Sequence, residues 1–175
     1  MRTYKTEGII IRRNNYKESD RMITIFTKHY GKIKVLAKGV RKIYSRRGPN
    51  IEFFNRVEVS LYNGKFIDMV MEVKTIDAYA NLKKCLSNIS KAWEICELVD
   101  LLTREKQEHR EVFDLMTVYL NKLNFSQNEV MIDKFKYALL HALGFISEFY
   151  KTSEEIDSFI ESLAERRLRT KKIYG

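Results

Sequence analysis

Residue types able to do covalent or acid–base chemistry are scattered along this chain, and its one concentrated feature is cationic. His29, His109 and His141 fall in three separate stretches and read as ordinary polar or capping histidines. Glu18 and Asp20 stand close together in NNYKESD. That run has the composition of a turn, where carboxylates form Asx turns or pair with a neighbour such as Arg21 more often than they bind a metal. Cys85 and Cys96 are eleven positions apart in a helical stretch, which sets them roughly 16 Å apart along the axis; they read as core thiols. There is no CxxC, Cys/His cluster, HExxH, GxSxG or glycine-rich phosphate loop, so no catalytic residue, metal site or cofactor is expected. By contrast, Gly31 to Gly48, GKIKVLAKGVRKIYSRRG, carries seven basic residues and no acid, and no Asp or Glu occurs anywhere between Asp20 and Glu52. The chemistry open to such a window is electrostatic: it neutralises the phosphates of a polyanion and releases their counterions.

Two kinds of element must hold these charges. In Lys32 to Lys38 the apolar Ile33, Val35 and Ala37 alternate with Lys32, Lys34, Leu36 and Lys38, which predicts a strand with three lysines on its outer face. Gly39 to Asn50 has two glycines and the only proline of the chain and predicts a loop, or a loop with a short helical turn; its part from Gly39 to Gly48 is expected to be mobile and carries Arg41, Lys42, Arg46 and Arg47, with Tyr44 among them as a base-stacking platform. Nothing acidic in the window relieves the repulsion, so the face is favourable only with a polyanion on it, and nucleic acid is the expected partner. The strand is expected to set where the nucleic acid lies and the loop to grip it, with substitutions on the strand costing more per charge than those at Arg46 and Arg47. If about six phosphates of a single strand are neutralised, the log–log salt slope is roughly −4.

The surrounding pattern places this window in a small β domain. Glu7 to Arg13, Arg21 to His29, Lys32 to Lys38, Phe53 to Tyr62 and Phe66 to Val73 read as five strands joined by short turns, with Asn63-Gly64 as a hairpin signal. Arg21 to His29 reads as buried on both faces, and Ile67, Met69, Met71 and Val73 as the apolar face of the last strand. From Tyr79 the period changes to helical. Helices are expected over Tyr79 to Arg104, with a break near Asn88, over Arg110 to Leu123, over Asn128 to Leu143 with Gly144 as a left-handed cap, and from a Thr152–Glu155 capping box to about Arg166. The fold class is α+β in two domains: residues 1–78 a small, closed or partly closed five-stranded barrel that binds nucleic acid, residues 79–175 an α-helical bundle. Charge agrees with this division. The net charge is +9; residues 1–78 hold 17 Lys and Arg against 8 Asp and Glu, and residues 79–175 hold 15 of each. With no apolar run of signal-peptide or membrane-span length, the expectation is a cytoplasmic protein with reduced thiols and no membrane partner.

The run EGIIIRRNNYKESDRMITIFTKHYGKIKVLAKGVRK closely resembles the N-terminal signature of the RecO family of bacterial recombination mediators, as does FFNRVEVSLYNGKFIDMVMEV. KYALLHALGF, Lys136 to Phe145, resembles that family's C-terminal helical core. The ESDR turn at Glu18 to Arg21 together with AKGVRK at Ala37 to Lys42 is the more specific part. The resemblance implies an OB-fold followed by a helical domain, and a non-enzymatic DNA repair and recombination protein. Such a protein binds single- and double-stranded DNA, anneals complementary strands, and helps load recombinase onto DNA coated by single-strand-binding protein. The partners it implies are the RecR mediator and the acidic C-terminal tail of single-strand-binding protein; the place of action is the bacterial cytoplasm, at the nucleoid during repair. Carried over by position, DNA contacts fall to Lys34, Lys38, Arg41 and Lys42, with Lys32, Arg46 and Arg47 added from the local charge pattern. Many members carry a four-cysteine zinc module after the GF position. Here ISEFYKTSEEIDSFIES follows without a cysteine, so no zinc is expected, and the chain is short for the family. Arg104, Arg110, Arg166, Arg167 and Arg169 offer charge for an acidic tail but read first as solvated helix faces. The residues also fit an adaptor whose basic face meets an acidic protein, or an RNA-binding barrel.

Overall fold

The computed structural model describes residues 2–125, 132–146 and 152–165. Five strands, β1 (Thr3–Tyr16), β2 (Asp20–Thr27), β3 (Gly31–Ala37), β4 (Arg56–Tyr62) and β5 (Asp68–Asp77), precede the helices α1 (Leu86–Leu102), α2 (Arg110–Phe125), α3 (Ile132–Ala142) and α4 (Ser153–Ala164). The strands close into a barrel in the order β1-β2-β3-β5-β4, the small barrel expected from the pattern and the OB-fold implied by the resemblance. The described chain divides into two compact units, Met1–Tyr79 with Arg104–Phe113, and Ala80–Thr103 with Asp114–Gly175.

Closure requires β1 to serve two neighbours: Thr3 to Ile9 pair with β4, and Gly8 to Tyr16 pair with β2. The pairing with β2 skips Ile11, between Ile10 and Arg12. This bulge is why Ile9, Ile10 and Ile11 are all buried, where plain alternation would expose one of them. The core holds Ile10 of β1 together with Ile23, Ile25, Ile33, Val35, Ala37, Val57, Val59 and Leu61, the alternating inward positions of β2, β3 and β4. The β2 strand is buried on both faces from Ile23 to Thr27, as expected.

The last strand departs from its sequence reading. Leu61 pairs with Val70 and Ser60 with Glu72, so Met71 is the extra residue of a second bulge. Val70 is therefore the buried position and Met71 is exposed, although Val73 still packs on the core. A period-2 reading places Met69 and Met71 inward because it has no means of seeing the phase slip.

The β3 and β5 strands meet only at Val35–Asp68 and Leu36–Met69, which leaves the start of β3 without a ladder partner on that side. The stretch Arg104 to Glu108 supplies one. Glu105 bridges Lys32 in parallel, and the Lys106 N–H donates to the Lys32 carbonyl at 2.9 Å. Gly31 makes this approach feasible: its φ is +62°, and a Cβ there would lie 1.8 Å from the Gln107 carbonyl oxygen.

In the second unit the first helix breaks at Cys85 instead of near Asn88. A 3-10 turn, Leu82–Lys84, precedes an extended Cys85 and then α1. The Asn124 side chain accepts from the Asn81 and Leu82 N–H groups at 3.0 and 3.1 Å and ends the turn there. Cys96 is buried, as read, but Cys85 at this break is exposed. The Thr152–Glu155 capping box forms reciprocally at 3.2 Å each way, and Gly144 takes φ +74° beyond α3. The expected start of the third helix at Asn128 and end of the fourth at Arg166 lie outside the described residues.

Lys136 is the centre of this unit. Its ammonium, on α3, is buried and reaches Glu94 of α1 at 2.7 Å, Asp157 of α4 at 2.8 Å and Asp133 at 3.6 Å. Burial alone pushes its pKa down, but the hydrogen bonds it donates to Asp157 and Glu94 outweigh it and the net direction is up. A raised lysine pKa means that its contribution to stability is complete below the ordinary lysine value and is lost only as pH rises through the folded-state value.

Two stability predictions follow from these contacts. Gly31→Ala is expected to cost about 2 kcal/mol or more, read as faster amide exchange in β2 and β3. Lys136→Met leaves buried carboxylates without their cation and is expected to cost about 3–5 kcal/mol. Its readout is urea unfolding followed by Trp93, the single tryptophan, which lies in α1.

Candidate nucleic-acid interface

The cationic window is held in place mainly through the backbone. The turn between β1 and β2, Lys17 to Ser19, and the turn that follows β3 are tied together by three hydrogen bonds. Asp20 Oδ1 accepts from the Gly39 N–H at 2.8 Å, the Ser19 carbonyl from the Arg41 N–H at 3.0 Å, and the Lys17 carbonyl from Arg41 Nη1 at 3.1 Å. The ESDR and AKGVRK motifs, twenty residues apart in the chain, are thus two halves of one structure. Asp20 pairs with backbone, not with Arg21 as its turn setting suggests. The Gly39 N–H, followed by weaker help from Ser19, Lys17 and Lys38, holds its carboxyl below the usual carboxylate value.

The loop itself is anchored where mobility is the expectation from composition. Arg47 donates through Nη1 to the Val70 carbonyl and through Nη2 to the Lys38 carbonyl, both at 2.9 Å. A 3-10 turn, Gly48–Asn50, follows; Asn50 Nδ2 donates to the Arg46 carbonyl at 3.0 Å, and the Thr75 hydroxyl donates to Asn50 Oδ1 at 2.8 Å.

The structure places the seven predicted cations in three groups. Lys34, Lys38, Arg41, Lys42 and Arg46 are exposed. Lys32 corrects the expectation of three displayed lysines: it is 7% exposed, because Arg104 to Glu108 runs alongside the start of β3. Arg47 is half-buried. Its guanidinium is committed to two strand-end carbonyls, so it builds the loop instead of reaching outward. Tyr44 is 80% exposed with Lys42 Nζ 5.8 Å from its ring centre, so the expected stacking surface is available. Tyr16 is exposed too, and Tyr62 is half-buried.

Carboxylates near the window act at its edges. Glu52 pairs with Arg13 and lies 3.6 Å from Arg21. Burial, then Arg13, pull the Arg21 pKa down, and Glu52 opposes them. Lys34 meets Glu105 at 2.5 Å, an acid that local sequence could not place beside it. Sequence reading also missed Lys17, which the turn lock sets beside Arg41; the pairing of the two motifs is the signal that points to it. On the outer face of β1, β4 and β5 a depression of about 330 Å³ is lined by Lys5, Arg46 and Lys74 but also by Glu58 and Glu72, so the one-sign surface does not extend there. Among the described residues no three His, Cys, Asp or Glu gather as a metal site. None of the described helices is long and apolar enough to cross a membrane. Arg104 and Arg110 are exposed, and Arg166, Arg167 and Arg169 lie outside the described residues.

Residues 1–79 match the family described as "Recombination protein O N terminal", and residues 86–165 match "Recombination protein O C terminal". The chain belongs to the RecO family. It is similar to the DNA repair protein RecO of Roseiflexus sp. (strain RS-1), 34% identical over 86% of this chain and 53% of that protein. It is likewise similar to the DNA repair protein RecO of Desulfitobacterium hafniense (strain DSM 10664 / DCB-2), 38% identical over 66% of this chain and 42% of that protein. Against the Clostridium novyi (strain NT) protein of the same name it is 30% identical over 85% of this chain and 59% of that protein. The chain spans about half the length of the curated relatives it matches. The family boundaries fall on the barrel and on the helices from α1 to α4.

Asp20→Ala is expected to leave the barrel folded while the Gly39 and Arg41 amides lose protection from exchange. In the unaltered chain, protection of Gly39 is expected to be full at neutral pH and above. With a depressed carboxyl pKa it is lost only as pH falls below the ordinary carboxylate range.

Proposed function

We propose that this chain is a non-enzymatic DNA-binding protein of repair and homologous recombination. It holds single- and double-stranded DNA by the phosphates, anneals complementary strands, and helps load recombinase onto DNA coated by single-strand-binding protein. The observation that carries the reading is the locked pair of turns. It gathers Lys17, Lys38, Arg41 and Lys42 at one end of the barrel, with Lys34, paired with Glu105, on the adjoining strand and Arg46 farther along the loop, and the Asp20 carboxylate that closes the lock accepts from a backbone N–H. In OB barrels the second and third strands with their flanking loops are the nucleic-acid face, and the family membership supports DNA as the partner.

Annealing by such a surface needs no catalytic residue. Cations that bind two strands lower their mutual repulsion and raise their local concentration. Tyr44 adds a surface on which a base can stack. RecR and the acidic tail of single-strand-binding protein are the protein partners in this reading, and the work is done in the cytoplasm at the nucleoid. Lysine and arginine side chains bind phosphate oxygens whatever the base sequence, so recognition in this reading is of phosphate and not of base edges.

The test is a salt-titrated binding and annealing assay with labelled oligonucleotides, with and without single-strand-binding protein. One phosphate for each of Lys17, Lys34, Lys38, Arg41, Lys42 and Arg46 gives a log–log slope of about −4 on a single strand. Reversing charge at Lys34, Lys38 and Arg41 together is expected to weaken binding by about two orders of magnitude in moderate salt; wild-type affinity and annealing in that folded variant would overturn the reading. Glu105→Gln removes the acid that competes with phosphate for Lys34, so it is expected to tighten binding while the slope stays near about −4, because Lys34 is already counted among the six. RNA of the same sequence binding more tightly than DNA would favour an RNA partner instead.

A further inference from the structure

Two apolar side chains sit side by side at the outermost point of the basic loop. Ile43 is fully exposed and Tyr44 is 80% exposed; on either side stand the exposed cations Arg41, Lys42 and Arg46. Isoleucine is not a turn-forming residue, since β-branching suits it to strands, and displaying it here gains nothing for the fold. The tip is also built, not slack. Lys42 N–H donates to the Gly39 carbonyl at 3.3 Å and Ser45 N–H to the Lys42 carbonyl at 2.9 Å, so two successive turns present Ile43 and Tyr44. Gly48 N–H donates to the Ser45 hydroxyl at 3.3 Å, and Arg47 and Asp20 pin the two ends of the loop.

We infer that Ile43 and Tyr44 form a base-insertion tip: while the flanking cations hold the phosphates of a single DNA strand, Ile43 enters between two adjacent bases and Tyr44 stacks on one of them. This rests on the DNA-binding reading above and adds that the protein unstacks the strand it holds. Two residues are far too little apolar surface for a protein interface, which needs about 800 Å² on each side. An apolar wedge flanked by cations matches the spacing of a nucleic-acid strand, where an apolar base step lies between charged phosphates; aliphatic wedges open base steps in this way, and aromatic rings take up the freed base. Holding bases apart from one another serves annealing directly, because a strand must lose its self-stacked and self-paired arrangements before it can meet its complement.

The experiment uses the full chain and single-stranded oligonucleotides carrying 2-aminopurine, whose emission rises on unstacking. Binding of the unaltered protein is expected to raise that emission severalfold. The double variant Ile43→Ser/Tyr44→Ser is expected to abolish the rise and weaken single-strand affinity about 10-fold. The salt slope should not change, because no cation is removed. Ile43→Leu/Tyr44→Phe is expected to keep the emission rise. If the unaltered protein binds with the steep salt slope but leaves 2-aminopurine stacked, or if the double variant raises emission as the wild type does, the insertion proposal is wrong and phosphate binding stands. Failure of the unaltered chain to bind DNA would remove both. Vesicles containing an anionic lipid form a second arm: a tip that the double variant shows to matter for vesicle binding and not for DNA would be a membrane anchor, which overturns the proposal.

Discussion

Setting like charges side by side on a small surface is unfavourable, and this protein holds most of its cationic window in place with backbone hydrogen bonds instead of carboxylates. Asp20 is the economical exception. Its carboxylate is spent on the Gly39 N–H, so it fixes the loop without lying over the lysines and arginines that the loop displays. Arg47 does the complementary job from the far side, its guanidinium donating to the Lys38 and Val70 carbonyls and closing the loop onto them. A surface built in this way stays cationic and stays ordered. These are the conditions under which phosphate binding loses little to the ordering of the site.

The barrel sets the positions of these anchors. Because β1 is shared between β2 and β4, its far end projects with β2 as a hairpin whose turn reaches the end of β3. The turn lock is the consequence of that geometry. The same closure leaves the start of β3 unpaired beside β5, and Arg104 to Glu108 fills the gap. That segment buries Lys32 and brings Glu105 to Lys34, so the completion of the barrel also trims its charge.

The helical unit shows a different solution to a charge problem. Lys136 is buried among Glu94, Asp133 and Asp157 and links three helices. The ammonium there has nearby carboxylates on each helix it joins, whereas the lysines of the barrel loop face water.

The order of elements, the barrel, the helices with their Thr152 and Gly144 caps, and the place of the basic window were all legible in the sequence. Each depends on local periodicity, turn chemistry or composition, and these act over a few residues. The exposed Lys34, Lys38, Arg41, Lys42 and Arg46 follow from the same signals. What local pattern could not carry was anything set by a partner distant in the chain. The bulges at Ile11 and Met71 change which residues face inward, because pairing register belongs to two strands at once. Lys32 is buried and Lys34 is matched by Glu105 because a stretch seventy residues later lies against β3. Arg47 becomes a brace of the loop because the carbonyls of Lys38 and Val70 converge on it only after the barrel closes. The sequence by itself determined that the chain would present a cationic surface and roughly where; the tertiary structure alone decided which cations face outward, because burial and hydrogen bonding are settled by what packs against a residue and not by its neighbours in the chain.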